Sequence, residues 1–440
     1  MRVLVSTIVA LNPGDAAILR GTERLLQQAF GESVEVVAVD KNATAASALY
    51  PWMRFAPSLF APRQRGGIGR TITRLGYEHR LWRFDAWRLR WAGRLMQHGW
   101  HPVAALFASD AERDVLAEYL RADLVVASGG TYLVPTYDMA PPLRDYELTL
   151  ALDRPLAFMP QSMGPFTNTR LVKRFADVFG RSRFVFVRDA QSRQHLESIG
   201  VPAARVRIVP DAAFALATTP SADTAPRVPA VAPIASPVRR VAISVREWKH
   251  FADGSGDGGE DRYFEGVAAL ANWLVTTHDA EVTFLSSCQG IPDYWTDDAV
   301  TARRVVARLD AAVAARVTVD GAFRDPEALQ ATLGTFDLVV ATRMHVAILA
   351  LCAGCPVLPI AYEFKTTELF KRLRLAWLAV PIEEATADGL IGRAERLLRE
   401  WPAVRETLAS GVQGLTAELQ STVAVIRRFS GSITGSENSR

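Results

Sequence analysis

Cysteine is scarce in this sequence, with three residues among 440. Cys352 and Cys355 form a Cys-x-x-Cys pair, but the pair lies in an apolar run and no second ligand pair accompanies it. This scarcity excludes a disulfide framework and gives no support for a zinc site. We predict that the thiols are buried structural residues of a protein in a reducing cytoplasm.

Long apolar runs and an excess of charge are missing as well. No hydrophobic stretch approaches the roughly 18–20 residues that span a bilayer, and the apolar start lacks the basic residues and cleavage site of a signal peptide. The net charge of +3 gives no general affinity for nucleic acid. Because 49% of the residues are hydrophobic, the chain can form two domains with separate cores.

Two further kinds of site lack their sequence patterns. The seven histidines are scattered without metal-ligand spacing, so we predict no metal site. The turn Ser128-Gly129-Gly130 lacks the Gly-x-Gly-x-x-Gly spacing, and no Walker lysine follows it. Neither nucleotide-binding fingerprint is therefore present, and we expect no bound cofactor.

What the sequence does have is a regular alternation of short apolar runs and helical stretches. In the first half, strand-like runs extend from Arg2–Thr7 to Val206–Val209, and in the second half from Val241–Val245 to Pro356–Ile360. Each run ends in a glycine, a serine or a charged turn. This alternation predicts an α/β protein with two doubly wound parallel sheets.

Proline marks the predicted boundary between the two domains. Residues 218–238 contain five prolines among Ala, Ser and Thr, which is typical of a linker. The predicted N-terminal domain covers residues 1–217 and the C-terminal domain residues 239–400. A closing helix at 401–429 and a disordered polar tail at 430–440 complete the prediction.

A segment rich in arginine and tryptophan interrupts the alternation and predicts a helical insert at residues 50–110. Trp87 and Trp91 are four residues apart and so share a helical face. The aromatic side chains either pack on the first domain, or residues 80–100 form a basic aromatic surface. Such a surface would make peripheral contact with the inner face of a membrane or with a phosphate-bearing lipid carrier. The sequence leaves both interpretations open.

The unusual polar residues fall where the predicted strands end. Ligands bind beyond the carboxyl ends of the strands in open α/β sheets. The motifs in these positions are Asn12-Pro13-Gly14-Asp15, Ser128-Gly129-Gly130, Gln161-Ser162, Arg188-Asp189, Arg246-Glu247, Arg343-Met344-His345 and Glu363-Phe364-Lys365. Their shared position predicts the active site of an enzyme.

Three cations of the second domain form the first part of this predicted site. Arg246, Arg343 and Lys365 each follow a strand, and they are placed to converge on an anion beside a helix amino end. In the alternative interpretation, one or two of them pair with Glu247 or Glu363.

His345 is the only histidine in a strand-end motif, and an imidazole both donates and accepts protons near neutral pH. We predict proton transfer as its role, with capping or packing of the helix start as the alternative. In the first domain, Asn12, Asp15, Gln161 and Ser162 carry groups suited to sugar hydroxyls. Asp15 is alternatively a helix cap, and we predict that role for Asp189.

From Asn12 to about Leu373 these motifs, in this order, resemble the polysaccharide pyruvyl transferase family. The resemblance rests on Asn12-Pro13-Gly14-Asp15, Ser128-Gly129-Gly130, Gly164-Pro165-Phe166, Val187-Arg188-Asp189 with Ser192, Pro210-Asp211, Thr342-Arg343-Met344-His345, Pro356, Tyr362 and Lys365. It implies two Rossmann-like domains that face a central cleft, as in glycosyltransferase-B enzymes.

The resemblance also implies transfer of pyruvate from phosphoenolpyruvate onto a sugar of a surface polysaccharide, or of its lipid-linked precursor, as a cyclic ketal. Phosphoenolpyruvate is then a co-substrate. The implied catalytic residues are His345 and Arg343, the donor-binding residues Arg246, Arg343, Lys365 and Arg188, and the acceptor-binding residues Asn12, Asp15, Gly129, Gly130, Gln161 and Ser162. Two alternatives remain: a nucleotide-sugar glycosyltransferase of the same architecture, and a non-catalytic sugar-binding assembly protein.

Overall fold

A computed structural model of the protein describes residues 1–60, 78–217, 237–251, 254–291 and 294–434. These residues divide into two compact units. Unit 1 comprises Met1–Leu11, Thr22–Ala212 and Gln420–Arg440, and unit 2 comprises Asn12–Gly21 and Ala213–Leu419. Most of the predicted linker, at 218–236, and part of the arginine-rich segment, at 61–77, lie outside the described residues.

Unit 1 contains an eight-stranded sheet in which all strand pairs are parallel. Its strands are β1 (Arg2–Ile8), β2 (Glu35–Asp40), β3 (Arg54–Pro57), β4 (Leu124–Ala127), β5 (Gly130–Leu133), β6 (Leu156–Met163), β7 (Val185–Val187) and β8 (Val206–Ile208). The order is β3-β2-β1-β4-β6-β7-β8, and β5 pairs with β6. The chain therefore reverses its direction of winding between β1 and β4.

Unit 2 contains a six-stranded parallel sheet and a small antiparallel ribbon. The strands are β9 (Arg240–Ser244), β10 (Glu281–Leu285), β11 (Gln289–Ile291), β12 (Tyr294–Asp297), β13 (Val317–Asp320), β14 (Leu338–Ala341), β15 (Val357–Ala361) and β16 (Val380–Pro381). The sheet order β13-β10-β9-β14-β15-β16 is that of a Rossmann fold, with its switch point between β9 and β14. The ribbon consists of β11 and β12.

Helices connect the strands in both halves of the chain. Those before residue 200 are α1 (Pro13–Phe30), α2 (Ala43–Leu49), α3 (Glu78–Gln97), α4 (His101–Ala104), α5 (Asp110–Arg121), α6 (Ala140–Ala151), α7 (Thr169–Arg181) and α8 (Ala190–Ser198). The later ones are α9 (Gly256–His278), α10 (Asp298–Val306), α11 (Ala311–Ala314), α12 (Pro326–Leu333), α13 (Met344–Cys352), α14 (Phe364–Arg372), α15 (Ala387–Arg399) and α16 (Trp401–Thr434). Within the described ranges, no helix has the length and apolarity needed to cross a membrane.

The central strands show why the chain forms these sheets. β4 and β14 have the same sequence, Leu-Val-Val-Ala, and every residue of both is buried. Consecutive β-branched apolar residues suit a parallel strand that is covered by helices on both faces. Each strand is followed directly by a polar residue, Ser128 in unit 1 and Thr342 in unit 2. The apolar run thus determines where the strand lies, and the first polar residue that can contact a ligand comes directly after it.

The prediction of two doubly wound α/β sheets is confirmed. The ribbon of β11 and β12 was not predicted. Helix α16 continues to Thr434, beyond the predicted end at Phe429, since no proline interrupts the chain there. All three cysteines are free and buried, in agreement with their predicted structural role.

Candidate active site

Arg246 and Arg343 lie at the point where the strand order of the second sheet reverses. Arg246 comes two residues after the end of β9, and Arg343 comes two residues after the end of β14. The two strands are hydrogen-bonded neighbours, so their carboxyl ends are adjacent. Doubly wound folds bind ligands in the crevice at such a point. The ends of β9 and β14 are therefore close together in unit 2, as predicted.

A buried carboxylate holds the guanidinium of Arg343. Its Nη2 donates to Oδ1 of Asp298 at 2.5 Å, and its Nε donates to Oδ2 at 3.2 Å. The side chain of Asp298 is 1% exposed and that of Arg343 is 12% exposed. The Nη1 edge of the guanidinium has no carboxylate partner among the described residues. The ion pair thus orients Arg343 and leaves one edge for another anion.

Asp298 is fixed in turn by the chain that follows β10. Its Oδ2 accepts hydrogen bonds from the Oγ and the N–H of Ser287, at 2.9 and 3.3 Å, and from the N–H of Cys288, at 3.1 Å. Asp298 is also the first residue of α10, where the positive end of the helix dipole stabilises a carboxylate. One buried side chain therefore links the ends of β10 and β14.

Burial and charge alter the proton affinities around this ion pair. Burial alone would lower the pKa of Arg343, but attraction to Asp298 raises the pKa well above its ordinary value. Burial raises the pKa of the Cys288 thiol to about 11. It also raises the pKa of the Tyr294 phenol. At neutral pH the arginine is therefore charged, and the thiol and the phenol are protonated.

Tyr263, a fully buried residue of α9, contacts the end of β14. Its hydroxyl is hydrogen-bonded to Oγ1 of Thr342 at 2.7 Å, and the nearby Arg246 counteracts part of the effect of burial on its pKa. Burial raises the pKa of this phenol to about 12, so it remains neutral. This side chain thereby anchors α9 to the residue that follows β14.

Arg246 packs against aromatic rings. Its guanidinium carbon lies 4.3 Å from the ring centroid of Tyr362 and 5.2 Å from that of Trp248. The alternative pairing with Glu247 is not observed, because Nε of Arg246 donates to the backbone carbonyl of Glu247 at 3.3 Å. The carboxylate of Glu247 faces Arg304 at 3.9 Å. In the part of the chain that the structure describes, Arg246 has no carboxylate partner.

Lys365 shares the same tyrosine but is paired. Its Nζ lies 2.6 Å from Oε2 of Glu363 and 5.8 Å from the ring centroid of Tyr362. The alternative interpretation of Lys365, in which it pairs with Glu363, is therefore observed. Lys365 and Arg246 thus both lie beside the Tyr362 ring, and their convergence on a shared anion stays a prediction.

His345 lies in the first turn of α13, whose N-cap residue is Arg343. The arginine side chain does not cap the helix, and the positive helix end adds to its charge. A Cβ atom at Gly14 would lie 2.5 Å from Nδ1 of His345. Only glycine at position 14 therefore lets the first turn of α1 pack directly against the imidazole. Unit 2 thus contains this turn together with the arginines.

Asn12, rather than Asp15, caps helix α1. Oδ1 of Asn12 accepts from the N–H of Gly14 at 3.0 Å, and its carbonyl accepts from the N–H of Ala16 at 3.0 Å. Asp15 is buried in the first turn, and its charge adds to the effect of burial on the pKa of Tyr294. The capping interpretation of Asp15 is wrong because the helix begins three residues earlier than that role requires.

Arg188 is engaged within unit 1. Its guanidinium forms an ion pair with Asp211, and Nε donates to Oγ of Ser162 at 3.2 Å. Nη2 donates to the carbonyl of Gly130 at 2.8 Å and to Oγ1 of Thr131 at 2.6 Å. Arg188 is buried, so these bonds compensate its desolvation. They give it a structural role, and donor binding by Arg188 stays a prediction.

The other polar residues of unit 1 also bond within the unit. Asp189 accepts from the N–H of Ser192 at 2.7 Å, which confirms its predicted role as the cap of α8. It also accepts from Oγ of Ser162 at 2.7 Å. Nε2 of Gln161 donates to the carbonyl of Ser128 at 2.6 Å. These contacts position Gln161 and Ser162 but do not test their predicted contact with an acceptor.

Gly129 and Gly130 form the turn between β4 and β5. Gly130 has a φ of +128°, in the region that favours glycine, and a Cβ there would lie 2.7 Å from the ring of Tyr132. The turn therefore requires glycine at position 130 for a structural reason. Close approach of an acceptor to this turn stays a prediction.

Sequence reasoning missed four residues of the site in unit 2: Asp298, Tyr263, Tyr294 and Trp248. Asp298 follows Asp297 at a helix start, where an acidic pair is typical of capping, and Asp297 does cap α10. Tyr263 lies inside a long helix, where an aromatic residue indicates core packing.

Among the residues described, no group of three or more His, Cys, Asp or Glu side chains could hold a metal ion.

Comparisons with known proteins show which family the sequence is similar to. The family model of polysaccharide pyruvyl transferases matches residues 12–363. The amylovoran biosynthesis protein AmsJ of Erwinia amylovora is 27% identical over 303 residues, which are 68% of this chain and 70% of AmsJ.

Solved structures support the fold. Anabaena Alr3699/HepE, in complex with UDP-glucose, has a TM-score of 0.55 and 12% identity, covering 99% of this chain and 100% of that one. A glycosyltransferase from Rickettsia africae has a TM-score of 0.56 and 11% identity, covering 98% of both chains. At these identities the similarity shows the glycosyltransferase-B-like fold alone. Since the family match includes Gly14, Arg246 and His345 and extends over most of the sequence, this chain belongs to the polysaccharide pyruvyl transferase family.

Proposed function

We propose that this protein transfers pyruvate from phosphoenolpyruvate onto a sugar of a surface polysaccharide, or of its lipid-linked precursor, as a cyclic ketal. The observation that carries the proposal is the position of Arg246 and Arg343 on adjacent strand ends, with His345 in the first turn of the helix that Arg343 begins. Phosphoenolpyruvate has a phosphate and a carboxylate close together. Two neighbouring guanidinium groups suit such a pair of anionic groups.

The surroundings of the arginines support different roles for each. Asp298 holds Arg343 by Nε and Nη2, so Nη1 is the edge available to the donor. Arg246 rests on the Tyr362 ring without a carboxylate partner in the described part of the chain. We assign the phosphate to the positive end of α13, where Arg343 adds its charge. The carboxylate then faces Arg246, with Lys365 in support.

The chemistry follows from these positions. His345 donates a proton to the methylene carbon of phosphoenolpyruvate, which becomes a methyl group and leaves a cationic centre at C2. A sugar hydroxyl adds to C2 and gives its proton to the imidazole of His345, which had become neutral in the first step. A second hydroxyl then displaces the phosphate, which leaves with the electron pair of its C–O bond and takes up the proton of that hydroxyl. The arginines stabilise the charge that develops on this leaving group.

A polysaccharide sugar is the proposed acceptor because the chain belongs to the polysaccharide pyruvyl transferase family. It is also similar to AmsJ, which is named an amylovoran biosynthesis protein. Asn12 and Asp15 flank Gly14, which packs against His345 in unit 2, and this supports a role for both in acceptor binding. We propose that they orient the sugar. Contact of Gln161 and Ser162 with the acceptor stays a prediction from the family resemblance.

The proposal is tested by incubating the purified protein with phosphoenolpyruvate and a panel of free and lipid-linked oligosaccharides. We expect release of inorganic phosphate and a mass gain on the acceptor that corresponds to one pyruvate less one water. Activity should persist in chelator, because the cations Arg246, Arg343 and Lys365 supply the electrostatic role that a metal ion would otherwise have. A gain of a whole hexose from a nucleotide sugar would overturn the proposal in favour of a glycosyltransferase, and binding of acceptors without turnover would indicate an assembly protein.

Replacement of Arg246 by alanine should raise the KM for phosphoenolpyruvate by roughly 10- to 150-fold, because a hydrogen bond to a charged group contributes about 1.5–3 kcal/mol. The matched control is Arg240→Ala. Arg240 lies at the other end of β9, and its guanidinium also packs on a ring, that of Phe336 at 5.2 Å. Steady-state kinetics should show an unchanged KM in the control. An equal KM in both variants would place the donor elsewhere.

A further inference from the structure

Large apolar side chains are exposed on helix α3 and on both sides of α4 in unit 1. Phe84, Trp87 and Trp91 lie three and four residues apart and therefore share one side of α3. Trp87 is 49% exposed and Trp91 is 51% exposed. Trp100 and Leu106, before and after α4, are exposed as well. We call these five residues the aromatic face.

Packing on unit 1 accounts for the opposite side of α3, not for the aromatic face. Ala86, Leu89 and Ala92 are buried and belong to the hydrophobic core of the unit. The exposed rings are nevertheless ordered against each other, since Trp87 contacts Phe84 at 5.8 Å and Phe107 at 5.9 Å between ring centroids. The helix thus has one side in the core and a second apolar side in water. A second apolar side of this kind indicates a contact surface.

Most of the arginines on α3 are bound by carboxylates. Arg88 pairs with Glu112 at 2.7 Å, Arg90 with Glu147 at 2.7 Å, and Arg94 with Asp153 at 2.6 Å. These arginines attach α3 to the rest of unit 1. The surface of α3 is therefore less basic than the number of its arginines predicts. Arg83 is exposed and has no carboxylate partner among the described residues.

The charge of the wider segment is nevertheless strongly positive. Residues 61–101 contain nine arginines and two carboxylates, a net charge of +7, whereas the whole chain carries +3. The remainder of the chain therefore carries −4. The pairs that Arg88, Arg90 and Arg94 form with carboxylates outside this stretch reduce its excess from +7 to +4. The stretch that includes the aromatic face is still positive, and an anionic surface is its electrostatic complement.

We propose that the aromatic face inserts into the headgroup layer of an anionic lipid bilayer. Tryptophan favours this layer because its ring is apolar and its N–H is polar, and the exposed Arg83 can bind a lipid phosphate. Such contact places apolar side chains about 5–10 Å into the bilayer without spanning it. In combination with the proposed function, on which this last step rests, the contact brings the enzyme to acceptors carried on lipid.

The test is sedimentation of the full-length protein with vesicles of phosphatidylcholine, with and without phosphatidylglycerol. Wild-type protein should bind the anionic vesicles, and more strongly at low salt. Trp87→Ser/Trp91→Ser should reduce the partition coefficient by on the order of tenfold or more. Tyr137→Ser is the matched control, because Tyr137 is a 60% exposed aromatic residue elsewhere in unit 1.

A second pair of variants tests the electrostatic part. Arg83→Gln should weaken binding roughly fivefold, since each arginine near an anionic surface contributes about 1 kcal/mol. Arg183→Gln, an exposed arginine of the same unit, should have no effect. Absence of wild-type binding to anionic vesicles would overturn the inference. So would loss of a dimer in Trp87→Ser/Trp91→Ser, since it would assign the aromatic face to a second copy of the chain.

The inference and the proposed function can fail separately. Trp87→Ser/Trp91→Ser should release phosphate at the wild-type rate with a short soluble acceptor and more slowly with an acceptor embedded in vesicles. Vesicle binding without phosphate release from any acceptor would contradict the proposed function and leave the membrane contact established. A soluble-acceptor rate that falls as much as the vesicle rate would show that the tryptophans act on the fold, and would overturn the inference.

Discussion

Replacement of His345 by alanine is expected to lower the rate of pyruvyl transfer by roughly 10²–10⁴-fold, the usual contribution of a general acid or base. His345 lies at the positive end of α13, beside Arg343 and against Gly14, and is only half-buried. Its loss removes a proton carrier without opening a core cavity. The thermal midpoint and the binding of phosphoenolpyruvate should therefore change little. Single-turnover phosphate release, compared with donor binding, measures the effect.

Gly14→Ala provides a companion variant that keeps the histidine but moves it. A Cβ at position 14 would lie 2.5 Å from Nδ1 of His345, so the ring must shift. Alanine is a better helix former than glycine, and α1 should not lose stability. We expect turnover to fall while the midpoint stays constant or rises. Near-normal turnover in His345→Ala would remove histidine from the mechanism, and a normal rate in Gly14→Ala would show that its exact position is unimportant.

Asp298→Ala is expected to destabilise the protein by about 3–5 kcal/mol, because it leaves the buried charge of Arg343 without a partner. The carboxylate is almost fully buried and takes part in five hydrogen bonds, two of them with Arg343. Activity should fall as well, since Arg343 loses its orientation. Urea denaturation of wild type and variant gives the change in the free energy of unfolding.

Two controls separate stability from function at this site. Asp297→Ala removes the neighbouring carboxylate, which caps α10 through the N–H of Ala299 at 2.8 Å, and should cost only about 1 kcal/mol. The double variant Arg343→Met/Asp298→Leu replaces the ion pair by apolar side chains and should recover much of the lost stability. It should remain inactive. An active double variant would show that Arg343 takes no part in donor binding.

The fold and one half of the site could be predicted because both depend on local sequence. Runs such as Leu338–Ala341 indicate buried parallel strands, and the residue after such a run lies at the edge where ligands bind. This rule predicts that Arg246, Arg343 and His345 follow the ends of β9 and β14, and they do.

The partners of these residues could not be predicted because they come from distant parts of the chain. Asp298 precedes Arg343 by 45 residues and follows the β11–β12 ribbon, which has no periodic pattern that would predict it. Tyr263 reaches the strand ends from a helix 79 residues before Thr342. Asn12 and Asp15 follow a strand of unit 1, yet their contacts group them with unit 2. Packing of the whole chain determines which distant residues pair, and a local sequence pattern does not show these pairs.

The pairing of charges in unit 2 has a kinetic consequence. Of the three cations Arg246, Arg343 and Lys365, two already face carboxylates, so the cluster with Asp298 and Glu363 retains a single positive charge. Long-range attraction of anions is then weak, and capture of the donor should depend little on ionic strength. The same balance favours turnover. If Arg246 binds the carboxylate of the donor as proposed, inorganic phosphate lacks that contact, and we expect it to dissociate more readily than phosphoenolpyruvate.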